Sequence, residues 1–526
     1  MYKVVIPSAG KGTRLKALSK HINKALVSVN QKPSISYVIE KFPENIEIVL
    51  PVGYKSQTIK DFLITAYPKR KFTFIDVDLY EGKGSGLGHS LLMCKDELNC
   101  PFIFIPNDSI IKEDIPEPKK NWMGYSSTHD IKEYRSLSIS ENNVQDIFPK
   151  GSSGDFLPYI GLASIFDHEL FWNYMKNGVK KGAIEVGESY GLKMLLNDKV
   201  IEAKEFTWHD TGNLKALEDA KEYLPKNQLD ANVLEKPDEA IWFCGDQVIK
   251  FHIDDKFISD RVKRSKNLGG FVPKIKSTSK NMYAYDVIKG DVFSRNPTPR
   301  KFEQFLEYMG EFWTKKDLKE LELNKFRTKC MEFYKDKTLE RIKLFLKRFE
   351  VIDRNVKIND DEVPNYEQVL DLVDWENMSI GEPVRFHGDL HFENILSTND
   401  NSNPFYLLDW RQNFAGDTEV GDLYYDLAKL NHGLIISHEI INNNHFEVNV
   451  SSDDISFEFH RKNMLIDCQI VLKDWVEKNN YDWKKVCNLT SLIFLNISPL
   501  HEHPYSLVLY YLGLSTLWND LKSSKV

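Results

Sequence analysis

The chain of 526 residues has no stretch of about 18 or more apolar residues, so no membrane span is expected. Cysteine is sparse. The six cysteines, Cys94, Cys100, Cys244, Cys330, Cys468 and Cys487, are scattered without a C-x-x-C pair. That spacing argues against a zinc motif or a disulfide framework and predicts reduced core thiols. A basic excess is missing as well: the formal net charge is −8, which disfavours a nucleic-acid partner. The opening Met1-Tyr2-Lys3-Val4-Val5-Ile6 runs straight into a strand and lacks a signal-peptide layout, so a cytoplasmic location is expected. No convincing internal repeat and no long low-complexity tract interrupts the chain. What is present is ordinary globular material, 42% hydrophobic and 28% charged, enough at this length for two or three domains with separate cores.

Residues 1–225 alternate short apolar strands (Lys3–Ile6, Ile46–Pro51, Phe72–Val77, Phe102–Pro106) with helical stretches. This predicts a Rossmann-like α/β domain with a mostly parallel sheet. The stretch Tyr223–Glu239, with two prolines in polar company, predicts a boundary. Residues 226–526 then form a second domain. Ile241–Cys244 and Gln247–His252 read as a hairpin around Gly245-Asp246, and Tyr283–Ile288 reads as another strand. Pro299 to about Arg348 is helical in period, and its aromatic residues between Phe302 and Phe326 read as core. Short strands and loops are expected over 385–410. Helices are expected over 419–526, with loop material near Asn442–Asp454.

The first strand leads into Pro7-Ser8-Ala9-Gly10-Lys11-Gly12-Thr13-Arg14-Leu15. Glycines at 10 and 12 allow a turn whose backbone N–H groups face a phosphate, with Lys11 and Arg14 adding charge. The third glycine of the dinucleotide pattern and the Walker A pattern are both absent. The segment, with Asn23-Lys24-Ala25-Leu26-Val27 and Lys32-Pro33 after it, resembles the sugar-nucleotide pyrophosphorylase and cytidylyltransferase family. Asn23 stands where that family usually has proline. The resemblance implies Arg14 on a nucleoside triphosphate and Lys24 on the phosphate of the attacking substrate. Gly10, Gly12, Thr13 and Gly86, the last in Gly84-Ser85-Gly86-Leu87-Gly88-His89-Ser90, are implied to bind the nucleotide. Asp108 in Pro106-Asn107-Asp108-Ser109 and Asp210 in Trp208-His209-Asp210-Thr211-Gly212 are implied to bind Mg²⁺. Tyr159, Gly161 and Glu185 are implied to contact the sugar or alcohol. His89 reads as a neutral structural residue, with no partner evident in the sequence.

In the second half, Phe386-His387-Gly388-Asp389-Leu390-His391-Phe392-Glu393-Asn394 carries the D-x-x-x-x-N spacing of a kinase catalytic loop. Asp409, in Leu407-Leu408-Asp409-Trp410, lies fifteen residues after Asn394, across a polar turn at Asn399–Pro404. A hairpin there would return Asp409 towards Asn394. The segment resembles the aminoglycoside phosphotransferase and choline kinase family, whose fold is a two-lobed, protein-kinase-like α+β domain. The resemblance implies Asp389 as catalytic base and Asn394 and Asp409 as Mg²⁺ ligands, with Asp422 and Asp426 as scaffolding. Lys250 resembles the lysine that binds ATP phosphates, and Asp260 is a candidate acid to pair with it.

Together the resemblances imply a bifunctional enzyme. One half would phosphorylate a small alcohol, polyol or sugar with ATP. The other would couple that phosphate to a nucleotide, CTP for preference, and release pyrophosphate. The product would be an activated CDP-alcohol or CDP-sugar for surface-polysaccharide or headgroup synthesis. A uridylyl- or thymidylyltransferase for sugar 1-phosphates fused to a sugar kinase is an alternative. So is a chain with one half reduced to nucleotide binding or regulation. The oligomeric state is not legible.

Overall fold

The computed structural model describes residues 2–127, 131–225 and 238–523. The chain divides into two compact units, Met1–Asp255 with Lys276–Val287 and Lys256–Ile275 with Ile288–Val526. Most of the polar stretch expected as a boundary, 226–237, lies outside the described residues.

The first unit is built on a nine-stranded sheet. Strands Phe72–Asp76, Glu47–Val52, Lys3–Val5 and Phe102–Phe104 lie side by side in that order, all parallel. Their apolar runs follow from burial on both faces. Val4, Ile48 and Ile103 enter one core, while Val5, Val49 and Phe104 enter another, as side chains alternating across a strand require. Beyond Phe102–Phe104 the sheet continues with the antiparallel strand Leu157–Ile165. It ends in Trp122–Tyr125, Glu202–Glu205, Asn143–Phe148 and Ser136–Ser140. Because Lys3–Val5 and Phe102–Phe104 are parallel neighbours, the glycine turn after one and Asp108 after the other leave the same edge of the sheet. The carboxyl edge is where open α/β sheets bind ligands.

The same unit includes a four-stranded sheet ordered Glu239–Cys244, Gln247–His252, Met282–Asp286, Ile275–Ser279. The first two strands form the expected hairpin, with Gly245 at φ 55° in its turn. Trp242 is fully buried and shares a core with Leu26 and Phe62. Its indole donates to the Leu26 carbonyl at 3.1 Å. Truncating such a side chain costs about 3–5 kcal/mol.

The second unit is mainly helical. Helix Leu423–Ile435 is buried along almost its whole length and contacts Asn463–Lys478 and Trp483–Ile497. Helix Pro299–Phe312 starts on the Thr298 side chain, which accepts from Lys301 N. It buries Phe302, Phe305, Leu306, Met309 and Phe312 at helical spacing. These rings pack with Phe293, Phe392 and Phe405, so the aromatic stretch is core, as expected. Asp291–Val292, Ile395–Ser397 and Phe405–Leu407 form a small sheet, with Ile395 opposite Leu407. One expectation needs correction. Residues near Asn442–Asp454 are not simply loop, because Phe446–Ser451 and Asp454–Phe459 form a hairpin. Its alternation of Phe446, Val448 and Val450 with polar neighbours is a strand pattern, masked by high polar content.

Among the described residues no helix is long and apolar enough to cross a membrane. All six cysteines are free, and Cys94, Cys244, Cys330 and Cys468 are buried.

Candidate active sites

In the first unit, strands Ser109–Ile111 and Trp208–Asp210 pair antiparallel with Asp210 opposite Ser109. That pairing brings Asp108 and Asp210 together across a gap of about a hundred residues in sequence. Thr211 N and Oγ1 both donate to the Asp108 carbonyl, at 3.0 and 3.1 Å. Gly212 shows how closely the side chains converge. A Cβ placed there would stand 2.9 Å from Asp108 Oδ2, 3.0 Å from Asp210 Oδ1 and 3.4 Å from Arg14 Nη2. Lys24 Nζ donates to Asp108 Oδ2 at 2.9 Å. Gly12, at φ 67°, lies against the Lys24 stem, since a Cβ there would meet Lys24 Cβ at 2.5 Å. Arg14, Lys24, Asp108 and Asp210 thus form one cluster. Gly10, Thr13 and Arg14 are exposed at its mouth.

The two carboxylates differ. Burial works against the Asp108 charge, but Lys24 and then Arg14 hold its pKa below the ordinary value. Asp210 is raised, by burial and then by the Asp108 charge. Tyr134 donates its hydroxyl to Asp210 Oδ2 at 2.9 Å, and Gly212 N donates to Oδ1 at 2.8 Å. Mg²⁺ in phosphate-transfer sites takes one or two carboxylates and completes its shell with water and substrate oxygens, so this pair of hard donors fits it. Among the described residues no group of three or more His, Cys, Asp or Glu could hold a metal.

The other residues singled out in this half fall around the cluster. Asn23 is buried and donates to the Ser8 and Tyr54 carbonyls at 2.9 and 2.7 Å. It thereby ties the lysine segment to the glycine turn. Gly161, at φ 78°, abuts Pro106: a Cβ would meet Pro106 Cγ at 2.7 Å. Gly86 lies against helix Ala183–Val186, where a Cβ would meet the Ile184 carbonyl oxygen at 1.9 Å. Lys11 pairs with Glu81 at 2.6 Å. His89 has a partner that the sequence does not reveal: its Nε2 lies 2.8 Å from Asp78 Oδ1.

Sequence reasoning missed three residues here. Glu185 is exposed, whereas Glu188, three positions on, is buried beside Tyr159. Burial pushes the Glu188 carboxyl up to about 7 against the pull of Arg135. Tyr159 is raised by burial and by Glu188. Lys150 is the second omission and Arg135 the third. Lys150 is held below its ordinary value by partial desolvation and by the charges of Arg14 and Arg135, while Asp210 attracts it. A lysine after Pro149, between a strand and a glycine, was the available signal.

In the second unit the catalytic-loop sequence is fixed by buried groups from three directions. Gly388 has φ 87° and packs on Arg411, whose Cβ a side chain at 388 would meet at 2.7 Å. Asp426 accepts from His387 N at 2.7 Å, Gly388 N at 2.6 Å and the Trp313 indole at 3.0 Å. Burial still lifts its pKa to about 6. Asp422 caps helix Leu423–Ile435 through Tyr424 N and accepts from Tyr334 at 2.6 Å. Both acids are scaffolding, as expected. His387 is fully buried and pushed down to about 3 by burial, so it is neutral. Its Nε2 bonds the Leu408 carbonyl at 2.8 Å. Arg264 donates to the Phe386 and Arg411 carbonyls and stacks 3.9 Å from the Phe386 ring centroid. Sequence reading had assigned it nothing.

Asp389 projects from this frame with its side chain 40% exposed. Lys429 Nζ lies 2.8 Å from Asp389 Oδ1. Desolvation opposes the Asp389 charge, but Lys429 and His391 hold its pKa well below the ordinary value. Lys429 is raised in turn: burial lowers it and Asp389 outweighs that. A lone lysine in the apolar run Leu427-Ala428-Lys429-Leu430 was the signal for it. Asn394 donates Nδ2 to the Asp389 carbonyl at 2.8 Å, and Leu408 N donates to the Asn394 carbonyl at 2.8 Å. That bond returns Asp409 to the loop as the hairpin spacing predicts. Asp409 sits at φ 55°, a conformation whose cost of about 1–3 kcal/mol points to function. Arg261 Nη1 lies 3.4 Å from Asp409 Oδ1. The Asn394 amide oxygen and the Asp409 carboxylate are hard donors and fit Mg²⁺. Lys250 is buried on Gln247–His252, an interior strand and not an exposed edge. Asp260 has Lys256 at 3.9 Å and accepts from Asn413 at 3.5 Å.

A sequence model of the phosphotransferase enzyme family matches residues 322–434. The N-terminal region is similar to nucleotidyltransferases. Bifunctional protein GlmU of Methanocaldococcus jannaschii is 25% identical over 261 residues, covering 47% of this chain and 60% of that protein. Choline-phosphate cytidylyltransferase of Streptococcus pneumoniae is 26% identical over 220 residues, covering 38% of this chain and 93% of that protein. A solved CTP:phosphocholine cytidylyltransferase from S. pneumoniae covers 43% of this chain and 99% of its own, with 21% identity and a TM-score of 0.36. The chain joins an N-terminal region similar to nucleotidyltransferases to a C-terminal region whose residues 322–434 match the phosphotransferase enzyme family.

Proposed function

We propose that the protein makes an activated alcohol or sugar in two steps. Residues 226–526 phosphorylate a hydroxyl with ATP, and residues 1–225 join the phosphorylated product to a nucleotide, with release of pyrophosphate. The observation that supports this reading is that each half gathers acidic and basic side chains: Arg14, Lys24, Asp108 and Asp210 in one, Asp389 and Lys429 with Asn394 in the other.

In the first step the acceptor oxygen bonds to the γ-phosphorus of ATP and ADP leaves. Asp389, anionic at neutral pH, orients the hydroxyl and takes its proton. Lys250 binds the α- and β-phosphates. In the second step the new phosphate attacks the α-phosphorus of the nucleoside triphosphate. Lys24 offsets the charge of the attacking phosphate and Arg14 that of the triphosphate. The turn at Gly10, Gly12 and Thr13, with Gly86, holds the nucleotide, while Tyr159, Gly161 and Glu185 border the alcohol or sugar. Asp108 with Asp210, and Asn394 with Asp409, would hold Mg²⁺, which neutralises phosphate charge when bound.

The similarity to choline-phosphate cytidylyltransferase over 93% of that protein supports CTP as the nucleotide. The product class supports a role in surface-polysaccharide or headgroup synthesis by analogy alone. The test is pyrophosphate release with CTP, UTP, dTTP and GTP, against a panel of phosphorylated alcohols and sugars. CDP products are expected. UDP or dTDP products without CDP products would move the reading to a sugar-1-phosphate uridylyl- or thymidylyltransferase.

A further inference from the structure

Beside Asp389 stand more cations than the proposed chemistry uses. Lys429 touches the Asp389 carboxylate at 2.8 Å. Lys337 and Arg341 lie one turn apart on helix Lys337–Phe349 and so share a face. Lys337 Nζ is 4.1 Å from the Phe333 ring centroid, and the Arg411 guanidinium is 4.9 Å from the same centroid. Arg411 also packs on Gly388, the residue before Asp389. The four basic side chains therefore come from three separate segments: Lys429 touches the Asp389 carboxylate, Arg411 packs on the glycine before it, and Lys337, with Arg341 one turn on, shares the Phe333 ring with Arg411.

Lys337 is the most exposed to this crowding of charge. Its pKa falls to about 6, through burial first and then through repulsion by Arg411, Arg341 and Lys429; Asp389 attracts it. Among the described residues its partner is an aromatic ring, with no carboxylate at ion-pair distance. With a pKa of about 6 Lys337 is mostly neutral at pH 7, and an anion bound beside it would restore its charge and offset the repulsion from its neighbours. Asp389 cannot serve as that anion throughout the reaction, because it gives up its charge on taking the acceptor's proton. Lys429 contacts the very carboxylate that must touch the acceptor hydroxyl and Arg411 the glycine before it, which puts this group of side chains beside the acceptor.

We propose that the acceptor of the phosphotransferase half is an anionic alcohol, a hydroxyl compound already bearing a carboxylate or a phosphate, held by Lys337, Arg341, Arg411 and Lys429. This rests on the reading of Asp389 as the group that receives the hydroxyl proton. The acceptor oxygen bonds to the γ-phosphorus, the bond from that phosphorus to the β–γ bridging oxygen breaks, ADP leaves and the proton passes to Asp389. The acceptor's own anionic group takes no part in bond making.

The experiment uses the full chain with saturating MgATP. ADP release is followed with glycerate and gluconate as hydroxy acids, glycerol 3-phosphate as a phosphate ester, glycerol and glucose as neutral compounds, and choline as a cation. At least one anionic acceptor should exceed its neutral counterpart about tenfold or more in kcat/KM. The hydroxy-acid and phosphate-ester arms tell the two sources of charge apart. Lys337→Gln and Arg341→Gln should each raise the KM for that acceptor about tenfold and leave the KM for ATP within about twofold. Preference for neutral or cationic acceptors overturns the inference alone, and this comparison needs no variant. An equal rise in the KM for ATP also overturns it, since the cluster would then serve the nucleotide. Failure to phosphorylate any acceptor sinks the kinase reading, and the inference with it.

Discussion

Both halves hold a site aspartate on a lysine, at 2.9 Å for Lys24–Asp108 and 2.8 Å for Lys429–Asp389, yet the charge around the two pairs differs. In the first half a second carboxylate, Asp210, joins the pair, and its pKa is raised by burial and by Asp108. Two acids crowd one point at Gly212, which suits a divalent cation. In the second half Asp389 faces Lys429, with Lys337, Arg341 and Arg411 nearby, which suits an anion. The same lysine–aspartate motif thus sits in surroundings that call for ligands of opposite charge.

The largest expected effects separate the halves outright. Asp389→Ala should lower ATP-dependent phosphorylation by about 10²–10⁴-fold, the usual contribution of a positioned acid–base group. Transfer onto an already phosphorylated substrate should stay unchanged. Asp108→Ala should do the reverse. If either variant lost both activities while still melting cooperatively, the comparison between two independent sites would fail. Gly212→Ala sharpens it further. The added Cβ would occupy the point where Asp108, Asp210 and Arg14 converge, and such overpacking costs about 1–3 kcal/mol. Nucleotide transfer should fall about tenfold and ATP-dependent phosphorylation should not.

A smaller effect concerns stability. Glu188 is raised from 4.5 to about 7 by burial, so the folded chain holds this proton where the unfolded chain releases it. Stability from this group is therefore full below pH 4.5 and is lost as pH rises through about 7. The expected loss is roughly 3 kcal/mol. Urea unfolding of wild type and Glu188→Gln across that range should show a difference in slope, with the variant flatter. Parallel curves would contradict the buried-acid account. The smallest effect is expected for Glu185→Gln. Its side chain is exposed, so the KM for the phosphorylated substrate should change about threefold, with no shift in melting temperature.

How much of this was legible in the sequence depends on how local each contact is. Gly12, Arg14 and Lys24 lie within one short segment, and the chemistry of a phosphate site could be read from it. Asp389, Asn394 and Asp409 were legible because a hairpin fixes their spacing, with Ile395 opposite Leu407. The parallel strands and the aromatic core of Pro299–Phe312 followed from periodicity. Lys429 was not legible, because it reaches Asp389 from a helix forty residues downstream. Lys337 is more distant still in sequence. Glu185 is implied by the resemblance alone, whereas Glu188 lies on the next helix, Glu188–Leu195, beyond Gly187, and its burial beside Tyr159 is set by a contact distant in sequence. Arg264 was passed over because its partners are backbone carbonyls, which leave no trace in side-chain patterns.

The most direct test of the two-step account follows a phosphorus atom. Full-length protein is incubated with ATP labelled with ¹⁸O in its γ-phosphoryl group, unlabelled CTP and an acceptor, and the nucleotide product is resolved by mass. The account predicts that the phosphoryl group next to the alcohol carries the ATP label and the one next to the nucleoside does not. A nucleotide product free of label, formed at the same rate without ATP, would contradict it.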